Sequence, residues 1–361
     1  MKRSDDAIVI LQIEKNIPFT YEGRLAFSLS ATLGDKHVKN EALKWIYCDF
    51  TQEVCNKEII GRMRHDFFHI YHPNNPFIIR KYALRLKRMW TNPDKALNDV
   101  INNISKGYFV HIRLDLSKIG SFGMKDRKFV HSEHIYGFDK TKELLFLMRF
   151  DYKKGVELKT ISFEEFKNAY IPLLGEKQKL INVYDKVRYK KYRIRKKRLY
   201  RRIVDYGKSR FSILDFLLTQ FKTIIFAWDV PYGKAVGISV IDYIKKILEL
   251  EIKLQKNGEL KYGRYFRSRT RLQAIWEFRR LMYERLNFMM DNGMLALGEE
   301  TRSLLDEYKK LTNDYLIIRN QYIKYQISEN IDILKNIIKR LEVLAEREKE
   351  LINLLSVFFV K

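Results

Sequence analysis

Gly107–Asp151 contains GYFVHIRLDL (Gly107–Leu116), a loop, HSEHIYGFD (His131–Asp139) and KELLFLMRFD (Lys142–Asp151). Tyr108–Leu116 is rich in β-branched and aromatic residues and predicts a strand. Val130–Tyr136 and Glu143–Phe150 predict two more, forming a hairpin. Tyr136-Gly137-Phe138-Asp139 and the Asp-Lys-Thr-Lys run that follows supply its turn signals. A histidine, His131, lies on the first strand of that hairpin. His134 is an odd number of residues away and is expected on the opposite face.

Outward from the hairpin, helices and strands mix through residue 175. Ala7–Ile13 reads as a strand, and Trp45–Arg64 as a helix interrupted at Gly61. Pro93–Ser105 reads as a helix with Pro in its first turn and Leu97, Ile101 and Ile104 on one face. Gly107 ends it. Ser162 and Glu165 form a capping-box signature before another helix. His72-Pro73-Asn74-Asn75-Pro76 reads as a loop.

Beyond residue 176 the texture becomes helical. Asp242–Gln255, Arg269–Asn292, Glu299–Lys324 and Glu329–Ser356 repeat apolar residues every three or four positions, and Asn257-Gly258 and Asp291-Asn292-Gly293 supply turns. The expected organisation is α+β: residues 1–175 as one domain and 176–361 as a helical second one.

The chain has 361 residues and a formal net charge of +25. The charge is concentrated: Val187–Arg210 holds 12 basic residues and one Asp. A patch this dense calls for an acidic partner. The most apolar stretch, Phe211–Val230, is broken by Asp215, Gln220 and Lys222, and the closing INLLSVFFV is short, so no membrane span is expected. The N-terminal apolar stretch is too short for a signal peptide. A cytoplasmic protein is the expectation.

Two cysteines, Cys48 and Cys55, exclude an all-cysteine metal site and a disulfide scaffold. A thiol together with a strand histidine points instead to acyl transfer, which needs a thiolate, an imidazole base and a group that orients the ring. Cys48, followed by Asp49, is expected where a helix begins, with the dipole favouring the thiolate. Cys55 would lie about two turns deeper and is the alternative nucleophile. Small buried hydrophobe is the ordinary role of a free cysteine.

The run from His131 through Gly137 to Asp139 resembles the His–(apolar)–Tyr-Gly-Tyr-Asp signature of the C39-like, papain-fold cysteine protease homologues. GYFVHIRLDL resembles the strand before that signature, and ISFEEFKNAY (Ile161–Tyr170) the helix after the hairpin. The resemblance covers residues 40–172. Members occur with nonribosomal peptide and aminoglycoside biosynthesis, and include amide synthetases of the closthioamide type.

The resemblance implies a papain-like domain and a Cys–His–Asp triad of Cys48, His131 and Asp151, with Asp139 as the alternative third member. Arg149 competes with Asp151 for the family's third position. Ala42 stands six residues before Cys48, where the peptidases carry an oxyanion-hole Gln. Gln52 and the Cys48 N–H are the remaining donors. The implied reaction moves an acyl group from the phosphopantetheine arm of an acidic acyl or peptidyl carrier protein to an amine, using neither ATP nor a metal. Hydrolysis by a peptidase or thioesterase is the first alternative.

Arg193, Arg195, Lys196, Lys197 and Arg198 would receive the carrier, on a basic helix. The same segment, with Tyr189, Tyr192 and Tyr200, would suit a nucleic acid. Zinc-finger spacing, an RNP-like motif and a helix-turn-helix are missing from the sequence, which ranks the nucleic-acid reading last.

Overall fold

The structure, a computed structural model, describes residues 6–18, 23–49, 52–56, 68–71, 75–82, 92–122, 128–151, 155–171, 183–208, 234–258 and 268–360. In chain order the elements begin β1 (Ile8–Ile10), α1 (Gly23–Gly34), α2 (Lys39–Asp49), β2 (Gln52–Asn56), β3 (Phe68–Tyr71), β4 (Ile78–Tyr82) and α3 (Pro93–Ser105). The hairpin region follows as β5 (Phe109–Asp115), β6 (Val130–Asp139), β7 (Leu144–Asp151), β8 (Gly155–Ser162) and α4 (Phe163–Tyr170). The remainder is β9 (Val183–Val187), α5 (Lys196–Gly207), β10 (Lys234–Val236), α6 (Val240–Lys256), α7 (Ser268–Asp291), α8 (Glu299–Ser328) and α9 (Ile331–Val357).

The chain divides into two compact units. The first comprises 1–43 and 75–191, the second 44–74 and 192–361. This division differs from the boundary expected at residue 175. Strand β9 pairs with both β4 and β5 and carries the first unit past that point. Strand β2 pairs with β3 and with the distant β10, which draws residues 44–74 into the second unit.

The first unit is an antiparallel sheet ordered β4-β9-β5-β6-β7-β8, with β1 added beside β6. Alternation along the strands sends side chains to two separate cores. On one face Val110, Ile112, Leu114, Ile135, Leu145 and Leu147 meet α3 and α4. On the other, Phe109, Tyr136 and Met148 meet Phe27 and Ala31 of α1. The unit is mixed α and β, as expected, with helices on both faces of the sheet.

Local chemistry accounts for the elements. Helix α3 starts with the Asn92 side chain accepting from Asp94 N and with Pro93 in the first turn. Gly107, after its end, has φ +79°, a conformation open to glycine at little cost. Helix α4 carries the expected capping box: Ser162 Oγ accepts from Glu165 N (3.0 Å), and Glu165 Oε2 accepts from Ser162 N (2.9 Å). Such a cap contributes about 1 kcal/mol.

Two sequence expectations fail here. The predicted helix over Trp45–Arg64 is instead the end of α2 followed by β2, and its break at Gly61 lies outside the described residues. The Tyr136–Asp139 stretch is strand rather than turn. It pairs with β1 and β7 around a bulge between Ile135 and Gly137, and the chain reverses over 140–143.

In the second unit, α8 sets Tyr308, Tyr315 and Tyr322 seven residues apart, all buried. Glu348 of α9 lies at the centre of a buried polar cluster. Its carboxylate accepts from Tyr206 (2.6 Å), Tyr308 (2.8 Å), Tyr315 (3.0 Å) and Arg279 Nε (3.1 Å). Four donors to one carboxylate offset the cost of burying its charge. Phe211–Val230 lies outside the described residues. Among the described residues no helix is long and apolar enough to cross a membrane.

Candidate functional site

His131 is an exposed residue of β6, opposite Leu114 of β5. Its Nδ1 lies 2.9 Å from Oε1 of Glu133, two residues along the same strand and therefore on the same face. The contrast in exposure is large: the His131 side chain is 55% exposed and that of Glu133 is 1% exposed. The second Glu133 oxygen, Oε2, lies 3.6 Å from Nε of Arg149 on β7. The Arg149 guanidinium rests 4.3 Å from the ring centre of Phe122, and Phe129 stacks beside His131. Glu133 was not singled out in the sequence. The signal was present: an acidic residue two positions from a strand histidine.

His134 faces the other way, as its odd spacing predicts. It is buried and stacks on Phe27 of α1 at 4.2 Å between ring centres, with His111 edge-on at 4.3 Å. The helix against this face, α1, contains no cysteine.

Of the two expected third members, Asp139 is engaged elsewhere, and the side chain of Asp151 lies outside the described residues. Asp139 is occupied with its own turn: Oδ1 accepts from Thr141 Oγ1 (2.6 Å), Thr141 N (2.9 Å) and Lys142 N (3.1 Å). The Thr141 hydroxyl bond leads in holding this carboxyl below its usual range, against the opposing effect of burial. Asp151 ends β7, opposite Gly155 of β8. Among the described residues, the carboxylate in contact with the His131 ring is Glu133.

Cys48 occupies the last turn of α2 rather than a helix start, because α2 begins nine residues earlier at Lys39. The dipole at that end disfavours a thiolate. Cys48 is buried. Two buried guanidinium groups reach this helix end: Arg202 Nη1 donates to the Cys48 carbonyl (2.8 Å), and Arg285 Nε to the Tyr47 carbonyl (2.5 Å). Burial pushes the Arg285 guanidinium down to about 10, and its interaction with Cys48 is the largest effect opposing that shift. The positive charge at this helix end comes from guanidinium groups rather than from a helix N-terminus.

Cys55 lies on β2, paired with Phe68 of β3 and Ala235 of β10. Ala42 is buried within α2, and Gln52 begins β2. Both cysteines belong to the second unit and His131 to the first.

The basic segment is not one helix. Residues 188–195 have no regular secondary structure, and α5 begins only at Lys196. Arg188, Tyr189, Lys190, Lys191, Arg193, Arg195, Lys196 and Lys197 are exposed, Arg198 is half-buried, and no acidic residue intervenes between Asp185 and Asp205. Lys196, Lys197 and Arg198 occupy the first turn of α5, where the helix dipole disfavours cations. Tyr200 is engaged: its hydroxyl donates to the carbonyls of Met294 (3.0 Å) and Val360 (2.8 Å), and its ring stacks on Phe359. Tyr189, by contrast, is 63% exposed.

No protein-family model matches the chain, and no curated protein matches it.

Proposed function

We propose that this protein is a papain-like, cysteine-dependent acyltransferase that forms amides from carrier-bound thioesters in bacterial nonribosomal-type natural product synthesis. The observation that carries the reading is the exposed His131 imidazole with its Nδ1 engaged by a buried carboxylate. Such an imidazole suits the role of base in thiol acyl transfer.

Cys48 is the thiol assigned to carry the acyl group. Its sulfur attacks the thioester carbonyl, and the carrier's phosphopantetheine leaves as a free thiol. An amine then attacks the acyl-enzyme, the amide departs and the Cys48 thiol is regenerated. By the resemblance, His131 is the residue assigned as the base for the thiol proton. The thioester supplies the activation, and electrons balance without an oxidant. The partner is an acidic carrier protein, favoured by the exposed cations around Arg193, Arg195, Lys196 and Lys197.

A second reading, a single-stranded nucleic-acid binder without catalysis, is favoured by one observation. Tyr189 is an exposed aromatic within an irregular basic segment, and a base can stack on such a ring.

One experiment separates the two. The protein is incubated with an acyl-carrier thioester, and its intact mass and peptides are measured. An acyl adduct on Cys48 that is absent from Cys48→Ala supports the enzyme. Slower acylation of Arg193→Glu/Arg195→Glu/Lys196→Glu by the carrier, but not by a small acyl thioester, supports the docking segment. An adduct on Cys55 overturns Cys48 as nucleophile. No adduct, with salt-sensitive binding of an oligonucleotide, overturns the enzyme and selects the binder.

A further inference from the structure

An imidazole is useful as a base only when the correct nitrogen carries the lone pair. An ionised carboxylate accepts hydrogen bonds and never donates them. With the Glu133 oxygen as acceptor, the 2.9 Å contact places a proton on Nδ1 of His131, and in the neutral imidazole the lone pair then lies on Nε2. The carboxylate is fixed in its turn. Glu133 is buried, and its other oxygen faces Arg149, whose guanidinium is steadied over the Phe122 ring. His131, the group so held, is itself more than half exposed.

A surface histidine and glutamate that met by chance would both be solvated, and their bond would add little. Here one partner is buried and the other is presented. The arrangement also gives Arg149, the competitor of Asp151 for the third position, a different role. The carboxylate comes from the histidine's own strand, and Arg149 on the neighbouring strand holds that carboxylate.

We infer that Glu133 is the positioning residue of His131, locking the Nδ1–H tautomer and leaving Nε2 as the basic nitrogen. The tautomer rests on geometry, while its catalytic use rests on the acyl-transfer reading above.

The test uses the full chain labelled with 15N in its histidines, with the His131 signals assigned by their loss in His131→Gln. Two-bond proton–nitrogen spectra at alkaline pH should show a protonated Nδ1 and a pyridine-type Nε2. Glu133→Met should replace this pattern with the Nε2–H tautomer or a mixture. Glu133→Gln should retain the Nδ1 proton, because the amide oxygen accepts the same bond. Its resonance should move upfield as a charge-assisted bond becomes a neutral one.

A wild-type protein with Nε2–H overturns the inference. So does an unchanged His131 spectrum in folded Glu133→Met, and Glu133→Gln decides the matter if the methionine variant does not fold. Acyl-enzyme formation should fall by about 10²-fold or more in Glu133→Met and recover in part in Glu133→Gln. If the spectra behave as described and no cysteine is acylated, the positioning stands and the acyltransferase reading fails. Acylation with a wild-type Nε2–H spectrum gives the converse.

Discussion

Asp139 and Glu133 lie on one strand, yet their carboxylates have different uses. Asp139 spends three acceptor contacts on the turn that follows it, and Glu133 spends its two oxygens on a histidine and an arginine. For Asp139 the consequence is a pH dependence. Its folded pKa lies below the ordinary carboxylate value, chiefly through the Thr141 hydroxyl bond. The stability it contributes is therefore present above the unfolded pKa and disappears as pH falls through the folded one. Asp139→Asn is expected to be less stable than wild type at neutral pH, with the gap closing on acidification. Urea unfolding at neutral pH and below the carboxylate range checks this. A gap that persists unchanged in acid would mean that the charge of Asp139 is not what holds the turn.

At the scale of elements, glycine explains both a success and an error of sequence reading. Gly107 reads as a helix stop in the sequence and has positive φ in the structure. Gly137 reads as part of a turn, but in the structure it provides clearance. A Cβ there would sit 2.7 Å from the Val9 carbonyl oxygen and 2.9 Å from the Phe146 ring, so the missing side chain admits β1 against β6. Gly137→Ala is expected to push β1 away. Hydrogen exchange should then speed up at Leu11 N and Lys140 N, which bond to Tyr136 O and Ala7 O across that seam. Protection in β8, beyond the clash, should change less. Unchanged protection at both amides would show that the seam tolerates a methyl group.

The same scale marks how far the sequence is legible. Helices α3, α4 and α6 to α9 are predicted by caps and by three- and four-residue spacing, which are local signals. Strand β2 is not, because its partner β10 lies about 180 residues away in the chain, and pairing at that distance overrides local pattern. The candidate site divides similarly. His131 and the reversed face of His134 follow from strand alternation. The buried state of Glu133, the turn held by Asp139 and the guanidinium groups beside Cys48 depend on tertiary packing, which no spacing along the chain encodes.

At the scale of the whole molecule, charge is the dominant quantity. A formal net charge of +25 repels itself, most strongly where eight exposed residues of 188–197 include seven cations. Against this stand exposed ion pairs such as Lys335–Asp332 and Lys310–Glu307, each contributing little, and the buried Arg279–Glu348 contact. Salt screens exposed charges over a Debye length of about 10 Å at 0.1 M and reaches buried ones far less. It should therefore weaken the repulsion more than the attractive pairs, and the protein should become more stable as sodium chloride is added. The units contain 160 and 201 residues, a size at which about 1 kcal/mol moves Tm by about 2–4 °C. A rise of at least that size between low and moderate salt is expected in thermal unfolding. The three Glu substitutions at Arg193, Arg195 and Lys196 should reduce the rise, because they remove part of the repulsion that salt screens. A fall in Tm with added salt would mean that attractive pairs outweigh the excess of cations. The basic segment would then be stabilised as it stands, and the charge argument for an acidic partner would fail with it.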